Sequence, residues 1–152
     1  MRRLEKTRFA LDEIKAFCAA SPPNPLVSSY FAQFLAVSFY AETEQTVRKI
    51  LEDRLSRIND EKVSSFISSG NGAIFKRVRK TDLNDLLSKF KCGDGDIIGA
   101  HVDEVDTQAY SSIINDRHLT SHGEGSSITI ADVERALPCA ERMFDIFEQL
   151  II

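Results

Sequence analysis

The residues best equipped for chemistry lie close together late in the chain, in the run Asn115-Asp116-Arg117-His118-Leu119-Thr120-Ser121-His122-Gly123. The guanidinium of Arg117 is planar and permanently charged, so it can bond two oxygens of an anion at once. An imidazole with its ordinary pKa near 6.5 gives up or takes on a proton at neutral pH. A cation that holds developing negative charge beside a group that moves protons suits acid–base chemistry on an oxyanion.

The spacing of these residues sets them against the local pattern. Arg117 follows Tyr110 by seven positions and Ile113 by four, and His118 follows Ile114 by four. Both therefore extend the apolar stripe of a helix carrying Val105, Ala109, Tyr110, Ile113 and Ile114. Charged groups directed into a bundle or a partner surface need compensation, because burying one unpaired costs several kcal/mol. A structural explanation stands beside this one. Gly123 suits the residue just past a helix end, and Arg117, His118 and His122 in the last turns would complement the negative end of the helix dipole. His118 and His122, four apart, also have the spacing of two metal ligands. They lack the glutamate of an HExxH pattern, and His101 is a third ligand by sequence proximity alone.

Two further clusters call for interpretation. Lys76-Arg77-Val78-Arg79-Lys80 places four cations in five positions, which is either a solvated surface or a grip on the phosphates of a nucleic acid. Arg2, Arg3, Lys6 and Arg8 would add to it if the fold brought them near. Asp94 and Asp96 hint at a calcium loop, but Ile97, Ile98 and Gly99 break the alternation of oxygen ligands that such a loop requires.

The elements that must position these residues read as helices. Leu11, Ile14, Phe17 and Cys18 share one face of a first helix, which stops before Ser21-Pro22-Pro23-Asn24-Pro25. No glycine or proline interrupts Leu26 to Ile58, where Tyr30, Phe31, Phe34, Leu35, Val37, Val47, Ile50, Leu51, Leu55 and Ile58 follow helical spacing. A continuous helix there would be about 50 Å long, a length suited to a bundle. A shorter segment around Val63, Phe66 and Ile67 is predicted to end at Gly70-Asn71-Gly72, followed by a loop. Leu83, Leu86, Leu87 and Phe90 mark a short helix with Thr81 as its expected N-cap. Asp116, near a helix end, is expected to be exposed and structural. The last helix carries Val133, Ala136, Leu137, Ala140, Met143, Phe144, Phe147 and Leu150 behind a Thr129/Asp132 capping box. Pro138 should kink that helix or shift its start.

Composition narrows the class. The chain has 152 residues, 43% hydrophobic and 28% charged, enough for one domain with a core that needs neither disulfides nor metal. Cys18, Cys92 and Cys139 are odd in number and lack CxxC spacing, which fits a reducing cytoplasm. The N-terminus lacks an apolar h-region and no apolar run approaches the ~20 residues of a membrane helix, so a soluble protein is expected. With a net charge of -4, bulk electrostatics does not bind nucleic acid, and any such site must be local.

Arg117-His118-x-x-x-His122 matches the R-x4-6-H motif of the HEPN superfamily, in which a polar residue commonly follows the arginine. The amphipathic first helix, the long second helix and a capped last helix behind Ser121-His122-Gly123-Glu124 resemble the HEPN order, most closely in the RiboL-PSP and related defence-associated groups. The resemblance covers most of the chain and implies an all-α helical bundle, residues 1–152 forming one domain. It also implies a cytoplasmic endoribonuclease that needs no metal or cofactor, acts as a homodimer with two motifs at a shared cleft, and serves as a toxin or defence component. In such an enzyme the RNA 2′-hydroxyl attacks the adjacent phosphodiester. His122 would be general base or acid and Arg117 would hold the phosphorane oxygens. His118 would orient His122, bind phosphate or protonate the leaving 5′ oxygen.

Geometry constrains that picture, since five steps of 100° set Arg117 and His122 roughly 140° apart on a straight helix. Either the helix unwinds before His122, or two chains converge across a two-fold axis. One departure limits the transfer. HEPN toxins controlled by nucleotidyltransferase antitoxins often carry a tyrosine two positions after the histidine, and here that position is Glu124. An antitoxin or defence partner of another kind is left open. The competing interpretation is a non-catalytic HEPN-like module that binds a nucleotide or stabilises a helical dimer.

Overall fold

The computed structural model describes residues 3–74, 77–121 and 127–152, with side chains for all of these except 71–74 and 117–121. Among the described residues there are six α-helices and no strand: α1 (Glu5–Ala20), α2 (Pro25–Leu55), α3 (Glu61–Ile74), α4 (Lys80–Lys89), α5 (Glu104–Ser121) and α6 (Ile130–Ile151). A 3-10 turn, Gly99–His101, precedes α5.

The long second helix forms as expected, and its start has a local cause. Asn24 accepts a hydrogen bond from the Val27 amide at 2.9 Å, and Pro25 occupies the first helical position, where a missing N–H costs nothing. At 31 residues it spans about 46 Å. The start of α1 is capped from across the bundle. Leu4, buried and left-handed with φ 58, supplies no side-chain cap, and Glu42 of α2 instead accepts from the Lys6 and Thr7 amides at 3.0 and 2.7 Å. Because Phe17 also meets Phe31 edge to face, α1 and α2 are antiparallel.

Ion pairs lay α6 along α1 in the opposite sense. Arg3 pairs with Asp145 and Glu148, Arg8 with Glu141, and Lys15 with Glu134. The start of α6 therefore shares one end of the bundle with the start of α2. Residues 122–129 link α5 to α6, so the C-terminal end of α5 is carried to that same end. The core is one cluster in which Leu35, Phe39, Val47, Tyr110, Ile113, Val133, Phe144 and Phe147 are essentially inaccessible to water. Tyr110 sits at its centre, meeting Phe39 and Phe144 in T-shaped contacts at 5.8 and 6.5 Å.

The last helix begins where its capping box predicts. Thr129 Oγ1 accepts from the Asp132 amide at 3.2 Å, and Asp132 Oδ2 accepts from the Thr129 amide at 2.8 Å. Pro138 lies inside α6 without displacing its start. Lacking an N–H, it leaves the Glu134 carbonyl without its usual intrahelical donor.

Three expectations are corrected. Helix α3 does not end at Gly70 but runs on to Ile74, and none of its described side chains is buried. The N-cap of α4 is Arg79 and not Thr81: Asp82 accepts from the Arg79 amide at 3.0 Å, which places the cap two residues earlier. Tyr30, Phe34 and Val37 lie in α2 as their helical spacing predicts, and all three are more than half exposed. Asp116 is not exposed. It is 8% accessible and is engaged in a polar or electrostatic interaction, as a buried carboxylate must be.

Candidate functional site

The apolar stripe of α5 places the site. Ala109, Tyr110, Ile113 and Ile114 are buried against α2 and α6, whereas Val105 in the first turn is 57% exposed. The stripe therefore anchors the middle of the helix and presents its C-terminal turns at one end of the bundle. Arg117 and His118 fall within the span of α5, and their side chains lie outside the described residues. His122 lies outside the described residues altogether. His101, the third histidine, is exposed at the end of the 3-10 turn. Among the described residues, no group of three His, Cys, Asp or Glu side chains is gathered as a metal site would require.

The basic segment reaches α5 through its apolar centre. Val78 is fully buried, and its carbonyl accepts a hydrogen bond from the Tyr110 hydroxyl. Burial pushes the Tyr110 phenol well above its ordinary pKa, so it stays a donor throughout the accessible pH range. Tyr110 precedes Arg117 by seven residues, about 10 Å along the helix axis. The fold thus pins the basic segment beside the helix that carries the motif.

Its cations then divide by role. Arg79 forms a two-pronged pair with Asp82, Nε to Oδ2 and Nη2 to Oδ1 both at 2.9 Å, and this contact raises its pKa. Lys80 Nζ lies 2.5 Å from Asp96 Oδ2. Arg77 is exposed, and Lys76 lies outside the described residues. Arg3 and Arg8 do not join this group, since the carboxylates of α6 hold them; Arg2 lies outside the described residues.

Asp94 and Asp96 also have local work. Asp94 accepts from Ser88 Oγ at 2.9 Å. Asp96 accepts from Lys80, from Asn84 Nδ2 at 2.8 Å and from the Gly99 amide at 2.9 Å. Asn84 Oδ1 in turn accepts from the Ile98 amide at 3.1 Å, so this carboxylate and amide latch the 3-10 turn onto α4. The latch needs a glycine, because a Cβ on Gly99 would stand 2.0 Å from Asp96 Oδ2. Sequence spacing suggested calcium for these residues and rejected it; it gave no sign of the latch, whose partners come from separate segments.

The latch carries a pH dependence. Lys80, followed by Asn84 and the Gly99 amide, holds the Asp96 carboxyl below its ordinary value. A depressed folded pKa contributes stability above the unfolded value, near 4, that is lost as pH falls through the folded one. Asp96→Asn is therefore expected to be less stable than wild type at pH 7, with the difference shrinking toward zero below about pH 4. Half-exposure of the side chain keeps the effect modest. Thermal unfolding at the two pH values measures it.

Comparison with known proteins adds the family. No curated protein and no solved structure matches the chain. The family model described as RiboL-PSP-HEPN matches residues 5–152, from the first turn of α1 to the end of α6. The match spans all six helices, so this chain belongs to the RiboL-PSP group of the HEPN superfamily.

Proposed function

We propose that the chain is a metal-independent endoribonuclease, acting as one HEPN-like domain per subunit in a homodimer and serving a toxin or defence system. The observation that carries this reading is the Arg117-His118-x-x-x-His122 spacing at the C-terminal end of α5 in a chain of this family. One imidazole, His122, takes the proton from an RNA 2′-hydroxyl. The freed oxygen attacks phosphorus, the bond to the 5′ oxygen breaks, and a proton goes to that leaving oxygen, with His118 the candidate donor. Arg117 holds the equatorial oxygens as their charge rises. The products are a 2′,3′-cyclic phosphate and a free 5′-hydroxyl.

Within this reading the exposed Arg77 is, among the described residues of the basic run, the cation left to meet phosphate, since Arg79 and Lys80 are held by Asp82 and Asp96. Arg77→Ala is expected to weaken single-stranded RNA binding, with the slope of log affinity against log salt falling by about 0.7. Arg79→Ala should chiefly lower stability through the lost pairing with Asp82. Fluorescence anisotropy across a salt series, alongside thermal unfolding, separates the two. The test of the function itself is incubation of the purified protein with a panel of single-stranded RNAs in EDTA. Fragments are expected; intact RNA across the panel, with nucleotide binding retained, would favour the non-catalytic module instead.

A further inference from the structure

An open cavity of about 410 Å³ lies between the start of α4, the 3-10 turn and the first half of α5, a size within the range of small-molecule sites. Asp96 and Gly99, two partners of the latch, form one wall. Lys80, the last cation of the basic run, lines the cavity beside them and shares Asp96 with Asn84 and the Gly99 amide. Val102, half-buried, adds aliphatic carbon against which a flat ring can rest.

Three side chains of this cavity have no work in the fold. Glu104, Gln108 and Ser111 line it, and none of them makes a hydrogen bond or ion pair among the described residues. They also lie in line with the motif. At 100° per residue, positions 104, 108, 111, 115 and 118 of α5 fall within about 80° of arc, and 111 and 118 are about 10 Å apart along the axis. Asn115, exposed, stands between them, so this face of the helix is polar from the cavity to the backbone position of His118.

The available donors and acceptors choose among ligands. A phosphate is disfavoured, because Lys80 faces two carboxylates here, Asp96 and Glu104. A base is not. Ionised Glu104 is an acceptor with two oxygens, and of the four RNA bases only guanine presents two N–H donors side by side, N1–H and N2–H. Its other edge carries two acceptors, O6 and N7, which suit an ammonium and an amide donor. Adenine, cytosine and uracil each offer a single donor group beside an acceptor, so a carboxylate facing them gains one bond and meets a lone pair.

We infer that this cavity is a guanine subsite for RNA, with Glu104 accepting from N1–H and N2–H and with Lys80 and Gln108 donating to O6 and N7. The base belongs to a nucleotide close to the scissile phosphate, as the short axial distance to the motif requires. The inference rests on the proposed nuclease and gives it a sequence preference.

Oligouridine strands carrying a single guanosine, adenosine or cytidine, with an all-uridine strand beside them, provide the test. Cleavage in EDTA is mapped on each strand, and binding is followed by fluorescence anisotropy in the non-cleaving His122→Ala background. Wild type is expected to cut at one fixed offset from the guanosine, and the guanosine strand should bind about 10–100-fold more tightly than the others. Glu104→Gln, at an exposed position, should keep the helical circular-dichroism spectrum and bring that ratio close to one, because an amide sets a donor against a guanine donor. A loss of stability alone would not move the ratio. Cleavage indifferent to the guanosine, a preference for another base, or a guanosine preference that Glu104→Gln leaves intact would overturn the subsite while the nuclease stands. Guanosine-dependent binding that Glu104→Gln abolishes, in a protein that cuts no strand, would uphold the subsite and remove the nuclease. Failure to bind any strand would overturn both.

Discussion

Arg117→Ala is expected to lower the rate of RNA cleavage in EDTA by about 10²–10³-fold, because a fixed donor to a developing oxyanion contributes on that scale. His122→Ala should lose activity to a similar extent, since an imidazole that moves the 2′-hydroxyl proton contributes about 10²–10⁴-fold. The double variant should be little slower than the worse single one, as residues acting in one step are not additive. Arg117→Lys separates charge from geometry. A lysine keeps the positive charge but cannot bond two oxygens in a fixed fork, so only part of the activity should return. Initial rates on a labelled single-stranded RNA measure all four, with sedimentation confirming that each variant remains assembled. Full activity in Arg117→Ala would assign the arginine to the helix-end role that its position also suits.

Tyr110 is expected to show the largest effect on stability. It is fully buried, contacts Phe39 and Phe144, and donates to the Val78 carbonyl. Tyr110→Ala removes a ring from the centre of the core and should destabilise the protein by about 3–5 kcal/mol, a large share of the 5–15 kcal/mol that holds a typical domain together. Tyr110→Phe keeps the ring and strands only the Val78 carbonyl, at a cost of about 1–3 kcal/mol. Urea unfolding followed by far-ultraviolet circular dichroism ranks the variants. The smaller change bears on function as well. Losing the anchor on Val78 frees the basic segment from α5, so Tyr110→Phe should weaken RNA binding more than its stability loss accounts for.

Much of this architecture was legible in the residues. Both boundaries of the Pro22–Pro25 breaker and the Thr129/Asp132 box are local signals, and local signals survive folding. The stripe on α5 was equally clear, because Ala109, Tyr110, Ile113 and Ile114 lie on one face and most of the rest of the helix is polar. In α2 the same reasoning fails. Its first half has apolar residues on nearly every side, so periodicity identifies a helix without saying which face turns inward, and Tyr30, Phe34 and Val37 point to water. Helix α3 shows the converse, where the glycines at 70 and 72 are ordinary stop signals and the helix continues through them.

The candidate site was legible as a motif and not as a constellation. Arg117 and His122 declare their chemistry by type and spacing, but nothing local says that Tyr110 ties Val78 to the same helix. The division of the basic run was equally hidden. Arg79 and Lys80 look like Arg77 in sequence, and only their pairing with Asp82 and Asp96 distinguishes them.

The most direct test of the nuclease reading uses one RNA and its counterpart with a single 2′-deoxynucleotide at the mapped cleavage site, both incubated with the protein in EDTA. Cleavage of the all-ribose strand to a 2′,3′-cyclic phosphate and a 5′-hydroxyl, with no cleavage at the substituted position, is the predicted result. Equal cutting of both strands, or activity that appears only when a divalent cation is added, would contradict it.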